Sequence, residues 1–232
     1  MPREVFVIVS ARNEGDRIGA TLAALALAFP GAPMWVADDC SADMTPEIAR
    51  DAGARVVRGE RAIGKGGAAT RAARDALRHV RVARGSESRE PIFILCDGDL
   101  AESAGQLGAL ADAIGRGGAD VAVAAFATRV GGGIGLAVAF ARWAIRRRCG
   151  LRTHAPISGQ RALRAGVLED VLPFAQGFGM ELGMTIDAVR AGYRVVEIEL
   201  DLAHRASGRT LAGFAHRGRQ LADFTRVYLA RR

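Results

Sequence analysis

The chain has 232 residues, half of them hydrophobic and a quarter charged, and its formal charge is +7 at pH 7. This composition argues against global disorder, and no apolar run approaches the roughly 18 residues that a membrane-crossing helix needs. Three widely spaced cysteines argue against a disulfide framework or a zinc knuckle, while the positive charge favours an anionic partner.

Short β-rich apolar runs alternate with longer segments of helical periodicity through the first half of the chain. In chain order these are VFVIVS, RIGATLAALALAF, MWVAD, PEIARDAG, RVVRG, GGAATRAARDALRHV, IFILCD, AGQLGALADAIGRG and DVAVAAF. Strands separated by helices imply right-handed crossovers. The pattern therefore predicts an α/β fold, with a mostly parallel central sheet flanked by helices.

The strict alternation lapses after Ala127. A glycine-led amphipathic helix is predicted by GGGIGLAVAFARWAIRRRCG, and a loop entering a helix by SGQRALRAGVLEDVL. The segment MELGMTIDAVRAGYRVVEIELDL predicts a helix, a stop at Gly192 and a strand. Arg84 to Glu90, RGSESRE, is predicted to be a surface loop.

Polar residues follow each of the first four predicted strands, in ARNEGD, DDCSAD, GERAIGKGG and DGDLAE. Ligands of such sheets bind beyond the carboxyl ends of the strands, so these residues predict one shared pocket. Asp97 and Asp99 flank Gly98 there, and two carboxylates so close repel each other unless water or a cation holds them. Their oxygen atoms suit Mg²⁺ or Mn²⁺; the alternative is an acidic turn.

The motifs VSARNE, VADDCSAD, GKGGA and CDGDL, in this order and spacing, resemble the nucleotide-sugar half of the family 2 GT-A glycosyltransferases. ISGQRALR, GFGMELGMTIDAVRAGYRVVEIEL and HRASGR are similar to the acceptor half of polyprenyl-phosphate members such as the dolichol-phosphate mannose synthases. DGD with a late histidine also resembles the glucosyl-3-phosphoglycerate synthases. The resemblance implies a single Rossmann-like GT-A domain over 1–232, with a nucleotide-sugar-binding half (1–127) and an acceptor half (128–232).

The resemblance also implies how the donor and a metal ion are held. The residues that would bind the nucleotide-sugar are Ala11, Asn13, Glu14, Asp39, Lys65, Asp97 and Gly98. Among them, Asp97 would face the ribose or a metal-bound water, and Asp39 has the alternative of a turn or helix-cap residue. Asp99 and His204 would hold the Mg²⁺ or Mn²⁺ that bridges the diphosphate, with a surface histidine as the alternative for His204.

On the acceptor half, the resemblance implies catalytic roles for one carboxylate and three arginines. Glu181 would be a general base or an acceptor-orienting group, or else a helix-start carboxylate favoured by the helix dipole. Arg161, Arg205 and Arg209 would meet phosphate, the alternative being solvated surface arginines. Gln160 stands where the resemblance places a bulky aromatic residue.

The function implied is metal-dependent transfer of a sugar from a nucleoside-diphosphate sugar to polyprenyl phosphate. A soluble phosphorylated acid or a hydroxyl acceptor is the alternative. Leu136, Phe140 and Trp143, among arginines, suit a helix lying on an anionic membrane, although an ordinary amphipathic helix has the same pattern. We therefore expect a cytoplasmic protein. If the helix lies on the membrane, the protein would be in peripheral contact with the inner face of the membrane.

Two other classes of protein are weaker interpretations. Gly59, Gly64 and Lys65 approximate a phosphate-binding loop, which would indicate a nucleoside triphosphatase. However, Gly66 lacks the hydroxyl that should bind Mg²⁺, and two strand-helix units precede the loop. The positive charge allows a nucleic-acid-binding protein, but with two Trp, two Tyr and no recognition motif we expect no nucleic-acid partner.

Overall fold

The computed structural model describes residues 3–83, 90–126, 135–202 and 211–231, with the side chains from 220 onward in the last range. Its strands are β1 (Val5–Ala11), β2 (Met34–Asp38), β3 (Arg55–Arg58), β4 (Ile92–Asp97), β5 (Val121–Phe126), β6 (Arg161–Arg164) and β7 (Val195–Leu200). Its α-helices are α1 (Ile18–Ala28), α2 (Thr45–Asp51), α3 (Lys65–Ala83), α4 (Gly108–Gly115), α5 (Leu136–Cys149), α6 (Ala165–Asp170), α7 (Met180–Arg190) and α8 (Leu211–Ala230). Two 3-10 helices span Ala101–Leu107 and Gly177–Gly179.

The seven strands form one sheet in the order β3-β2-β1-β4-β6-β5-β7. β3, β2, β1 and β4 run parallel, with Val9 of β1 opposite both Val36 and Cys96. Because side chains alternate along a strand, Val7 and Val9 pack with α1 on one face while Phe6 and Ile8 pack with the alanines of α3 on the other. Both faces are thus covered, as the alternating sequence pattern predicted.

β6 is a strand that the sequence did not predict. The pattern of SGQRALRAGVLEDVL predicts a loop entering a helix, but Arg161–Arg164 pairs antiparallel with β4 and β5, with Leu95 opposite Arg161. A four-residue strand with arginine at both ends is too short to show the period-two alternation on which strand prediction depends. Its insertion beside β4 brings residues 158–161 next to the end of that strand.

Three of the later helices, α5, α7 and α8, pack together, and α7 also packs against the sheet. α5, α7 and α8 share a third apolar cluster built around Ile145, Leu182, Ile186 and Phe224. Gly192, in the left-handed conformation at φ +88°, follows α7, as predicted. Of the predicted surface loop at 84–90, residues 84–89 lie outside the described residues.

The part of the chain that the structure describes contains no helix both long and apolar enough to span a bilayer.

Candidate active site

A pocket of about 500 Å³ opens at the carboxyl ends of β1, β2 and β4. It contains seven of the residues predicted from the sequence to bind the nucleotide-sugar or the metal: Ala11, Glu14, Asp39, Lys65, Asp97, Gly98 and Asp99. Gly177 and Phe178 border it from the acceptor half. A second concavity of similar volume, between α1 and the first 3-10 helix, is lined mainly by alanines and Leu27 and lacks convergent polar groups.

Asn13 shapes the pocket and is not among its lining residues. Its φ of +56° places it in the left-handed region, which asparagine tolerates better than most residues. Its backbone N–H donates to Ser41 Oγ at 2.9 Å, and its side-chain Oδ1 accepts from Ala42 N at 2.8 Å. Asn13 therefore joins the loop after β1 to the loop after β2, and its predicted contact with the base stays a prediction.

Asp39 lines the pocket and fixes the loop that leads into α3. Its carboxylate accepts from the backbone N–H of Ile63 at 2.7 Å and of Gly64 at 3.1 Å. Arg12 Nη1 lies 3.4 Å from the same carboxylate. Since Gly64 directly precedes Lys65, Asp39 helps to set where α3 and its lysine begin.

Lys65 joins the two halves of the site. Its Nζ lies 2.6 Å from Asp97 Oδ1 and 2.7 Å from Glu181 Oε1, so one ammonium pairs with two carboxylates. Burial by itself lowers the pKa of Lys65, but the charges of Asp97 and Glu181 outweigh burial, and the pKa lies above its usual value. Lys65 is therefore a fixed positive charge at the pocket.

The turn containing Asp97, Gly98 and Asp99 is held by α1. Thr21 Oγ1 donates to the Gly98 carbonyl at 2.8 Å, and Arg17 Nη1 donates to the Asp99 carbonyl at 3.2 Å. A side chain at Gly98 would meet Ile18 at 3.1 Å and Ala11 at 3.3 Å, so the turn can pack here because position 98 has none. Asp99, only 6% exposed, is among the residues that line the pocket.

The residues at this turn fit a hard divalent cation. Lys65 and Gln160 each contact one oxygen of Asp97, and the carboxylate of Asp99 stays the predicted metal ligand of the pair. Within the described ranges, no group of three or more His, Cys, Asp or Glu side chains is arranged to hold a metal. Mg²⁺ is commonly held by one or two carboxylates plus substrate phosphates, which is the kind of site that Asp99 can provide. His204 lies outside the described residues.

Of the three arginines predicted to be catalytic, the structure describes only Arg161. Arg161 is 1% exposed; its Nε donates to the Ser158 carbonyl at 2.8 Å and its Nη1 to Thr185 Oγ1 at 2.9 Å. Burial lowers its pKa to about 10, opposed by Glu181 and Glu197, so it stays a cation at neutral pH. It is not among the residues lining the pocket, and its contact with phosphate stays a prediction. Arg205 and Arg209 lie outside the described residues.

Sequence reasoning missed three groups on the acceptor side of the pocket. Gln160 Nε2 donates to Asp97 Oδ2 at 2.9 Å. Gly177 and Phe178 line the pocket, and the Phe178 N–H donates to Asp223 Oδ2 of α8 at 3.1 Å. Gln160 could have been noticed, because it stands where the resemblance places an aromatic residue. The positions of Gly177 and Phe178 depend on a contact with α8 that no local motif encodes.

Comparison with known proteins agrees with this geometry. The sequence matches the family described as glycosyl transferase family 2 over residues 6–171. Three crystal structures of glucosyl-3-phosphoglycerate synthase from Mycobacterium tuberculosis are similar, each covering 99% of this chain and 80% of that chain. The complex with phosphoglyceric acid has 24% identity and a TM-score of 0.74. The complex with Mn²⁺, UDP and glucosyl-3-phosphoglycerate has 25% identity and a TM-score of 0.73. The complex with Mn²⁺, UDP-glucose and glycerol 3-phosphate has 26% identity and a TM-score of 0.72.

No curated protein sequence matches the chain significantly.

The fold and the pocket together define a glycosyltransferase with the GT-A fold. The chain belongs to glycosyl transferase family 2. The fold and enzyme class predicted from the sequence are confirmed, and the triphosphatase and nucleic-acid-binding interpretations are not supported.

Proposed function

We propose that the enzyme transfers a hexose from a UDP-sugar to a small soluble phosphorylated acid, with Mg²⁺ or Mn²⁺ at the donor diphosphate. The observation that carries this proposal is the Lys65 ammonium, paired with both Asp97 of the donor motif and Glu181 of the acceptor half at the edge of one pocket. The structure of similar fold that holds UDP-glucose, Mn²⁺ and phosphoglyceric acid supports the same donor and class of acceptor.

Donor binding follows from the loops that line the pocket. Ala11 and Glu14 stand at the end of β1, and Asp39 at the end of β2, where the base and ribose would lie. A volume of about 500 Å³ is within the ordinary range for a site of this kind. Asp97 would contact the ribose or a metal-bound water, while Asp99, with His204, would hold the metal.

The transfer step breaks the bond between the anomeric carbon and the diphosphate and forms a bond from that carbon to the acceptor oxygen. Negative charge grows on the departing diphosphate, and Lys65, which is paired with Asp97 and Glu181, offsets the repulsion that these two carboxylates would exert on it. A bound Mg²⁺ or Mn²⁺ would supply Lewis-acid neutralisation of the same diphosphate.

Glu181 would act on the acceptor. It is buried in the first turn of α7, and its carboxylate is held by Lys65 at 2.7 Å. An acceptor hydroxyl must lose a proton as it attacks, and Glu181 either takes that proton or orients the hydroxyl so that the proton passes to the leaving diphosphate. An acceptor that attacks through an ionised phosphate oxygen would need only the orienting role.

The deciding experiment is a screen in two stages. Calorimetric titration with UDP-, GDP-, ADP- and dTDP-glucose, with and without Mn²⁺, should select UDP-glucose and should need the metal. Transfer is then measured to 3-phosphoglycerate and to a polyprenyl phosphate, with Asp99→Ala as the inactive control. Binding of none of the four nucleotide-sugars, or affinity unchanged by EDTA, would overturn the proposal.

A polyprenyl phosphate acceptor is the second candidate, and the surface of α5 favours it. Leu136 is 67% and Trp143 50% exposed, and Arg146 and Arg147 are exposed beside them. Exposed apolar and cationic side chains on one helix suit an anionic lipid surface. Transfer to the polyprenyl phosphate but not to 3-phosphoglycerate in the screen would select this candidate.

A further inference from the structure

Asp97 is held from two sides at the edge of the pocket. Lys65 Nζ lies 2.6 Å from its Oδ1, and Gln160 Nε2 donates to its Oδ2 at 2.9 Å. A carboxylate with both oxygens engaged has little freedom to rotate. The orientation of Asp97 therefore depends on Gln160 as well as on the lysine.

Gln160 is itself rigid. It is 1% exposed and lies just before β6, where its carbonyl accepts from Ala124 N at 2.9 Å. Its side-chain Oε1 accepts from Ser158 Oγ at 3.0 Å. Because an ionised carboxylate can only accept, the amide must present its nitrogen to Asp97, and the bond from Ser158 fixes the other end of the amide in that orientation.

The approach of Gln160 to Asp97 requires the glycine before it. A Cβ at Gly159 would lie 2.6 Å from Lys65 Nζ and 2.7 Å from Asp97 Oδ2, closer than such atoms pack. A side chain at 159 would therefore displace the Lys65 ammonium or the Asp97 carboxylate from the position seen here. Gly159 and Gln160 together form a support for Asp97 that comes from the acceptor half of the chain.

Charge explains why an amide suits this position. Lys65 is shared between Asp97 and Glu181, so the three groups carry one net negative charge. A cation at 160 would compete with Lys65 for Asp97, and a carboxylate would repel it. A neutral donor holds Asp97 and leaves Lys65 paired with Glu181.

We propose that Gln160 is a positioning residue that fixes the Asp97 carboxylate for donor binding. This inference rests on the proposed function, because the contact of Asp97 with the nucleotide-sugar is part of that function. Gln160 is not among the residues that line the pocket, so it would act through Asp97.

The kinetic test separates the donor from the acceptor. Gln160→Met keeps the length and neutrality of the side chain but removes the donated hydrogen bond, and Gln160→Glu places a carboxylate against Asp97. We expect the KM for UDP-glucose and the Kd for UDP with Mn²⁺ to rise roughly tenfold or more in both variants, since a hydrogen bond to a charged group is lost. The KM for the acceptor should stay within about twofold, a split that a general structural defect would not produce.

The matched control is Gln106→Glu. Gln106 also uses both ends of its amide, donating to the Asp201 carbonyl at 2.6 Å and accepting from Asp201 N at 3.1 Å, but it does not line the pocket. Both KM values should be unchanged in this variant. An unchanged Kd for UDP in the Gln160 variants, or equal increases in the two KM values, would overturn the proposal.

A second measurement needs no ligand. Asp97→Asn combined with Gln160→Glu reverses the donor and the acceptor of the same hydrogen bond, so the double variant should recover part of the melting temperature that Gln160→Glu loses. Strictly additive losses would show that the two side chains do not support each other. A wild-type protein that binds no UDP-sugar would refute the proposed function, and the double variant would still decide the pairing.

Discussion

The donor and acceptor sides of the pocket are built by different means. The proposed donor side is made of loops that leave parallel strands at one edge of the sheet, and hydrogen bonds from Ala42 N to Asn13 and from Gly64 N to Asp39 tie these loops together. The acceptor side is held by α8 at the far end of the chain, through Asp223 to the Phe178 N–H and Arg231 to Asp187. The proposed donor side thus follows from the sheet, whereas the proposed acceptor side depends on how α8 docks.

Lys65 is the residue whose loss should affect both sides at once, with the largest effect. Lys65→Met removes the positive charge between Asp97 and Glu181 and leaves two carboxylates to repel each other. We expect kcat to fall roughly hundred- to thousandfold, the usual result of removing one preorganised electrostatic group. Steady-state kinetics with the selected donor measure this. A tenfold or smaller loss would show that Lys65 is mainly structural.

The metal site on the donor side is tested by a double-mutant cycle. Asp99→Ala and His204→Ala should each weaken Mn²⁺-dependent binding of UDP, by roughly ten- to hundredfold, and the double variant should be little worse than Asp99→Ala alone. The reason is that two ligands of one ion act as a unit. Calorimetry of UDP with and without Mn²⁺ measures the effect, and additive losses would place His204 in another role.

The sequence predicted the donor side far better than the acceptor side, for a physical reason. Parallel strands bring their carboxyl ends to one edge, so the residues after VFVIVS, MWVAD and IFILCD had to converge whatever the details of the loops. Gln160 could not be placed in the same way, because its strand β6 is short and antiparallel. Phe178 also could not be placed, because its position depends on Asp223, 45 residues away along the chain.

The junction between the two sides is tested at Gly66. A Cβ there would lie 1.9 Å from the Ala175 carbonyl oxygen, so Gly66→Ala must push the start of α3 away from the loop before Gly177. Such overpacking costs about 1–3 kcal/mol of unfolding free energy, and we expect a lower melting temperature together with weaker activity. Gly108→Ala, at the start of α4 with no atom within 4 Å of the new Cβ, is the control and should be neutral or slightly stabilising. Equal melting temperatures for the two variants would contradict this packing.

Glu197, on β7, should make the stability of the fold depend on pH. It accepts hydrogen bonds from Thr153 Oγ1 and from the backbone N–H groups of His154 and Ala155. Burial raises the pKa of Glu197, but these bonds outweigh burial and leave the pKa below its usual 4.5. Because the folded pKa is the lower one, the stabilisation is fully present above about pH 4.5 and is lost as the pH falls through the folded value.

Glu197→Gln should therefore lower the unfolding free energy by about 1 kcal/mol at pH 7. The gap to the wild type should close below pH 4.5, as measured by urea denaturation at several pH values. Glu199→Gln, exposed two residues along the same strand, is the control and should show no such pH-dependent gap. A gap for Glu197→Gln that stays constant down to pH 3 would contradict the assignment.

The outer surface of α5 should have the smallest effect on transfer to a soluble acceptor. The Trp143 ring packs against Tyr228 of α8 with centroids 4.8 Å apart, yet half of the side chain remains exposed. If the acceptor is a soluble phosphorylated acid, we expect that this surface does not contact it. Trp143→Ala combined with Arg146→Ala should then leave the rate of transfer within about twofold of the wild type. Surface substitutions of this kind usually change the unfolding free energy by no more than about 0.5 kcal/mol.

Anionic vesicles provide the contrasting measurement on the same surface. Each basic residue near such a membrane contributes about 1 kcal/mol to binding and is screened by salt, so a docked α5 would give salt-sensitive co-sedimentation that the double variant weakens. Val82→Ala with Arg78→Ala removes an exposed apolar residue and an exposed arginine from α3 and serves as the matched control. Vesicle binding lost in the α5 variant alone, together with lost transfer to polyprenyl phosphate, would move the acceptor from solution to the membrane. The donor side and its metal site would be unaffected by that change, because none of the residues that line the pocket lies on α5.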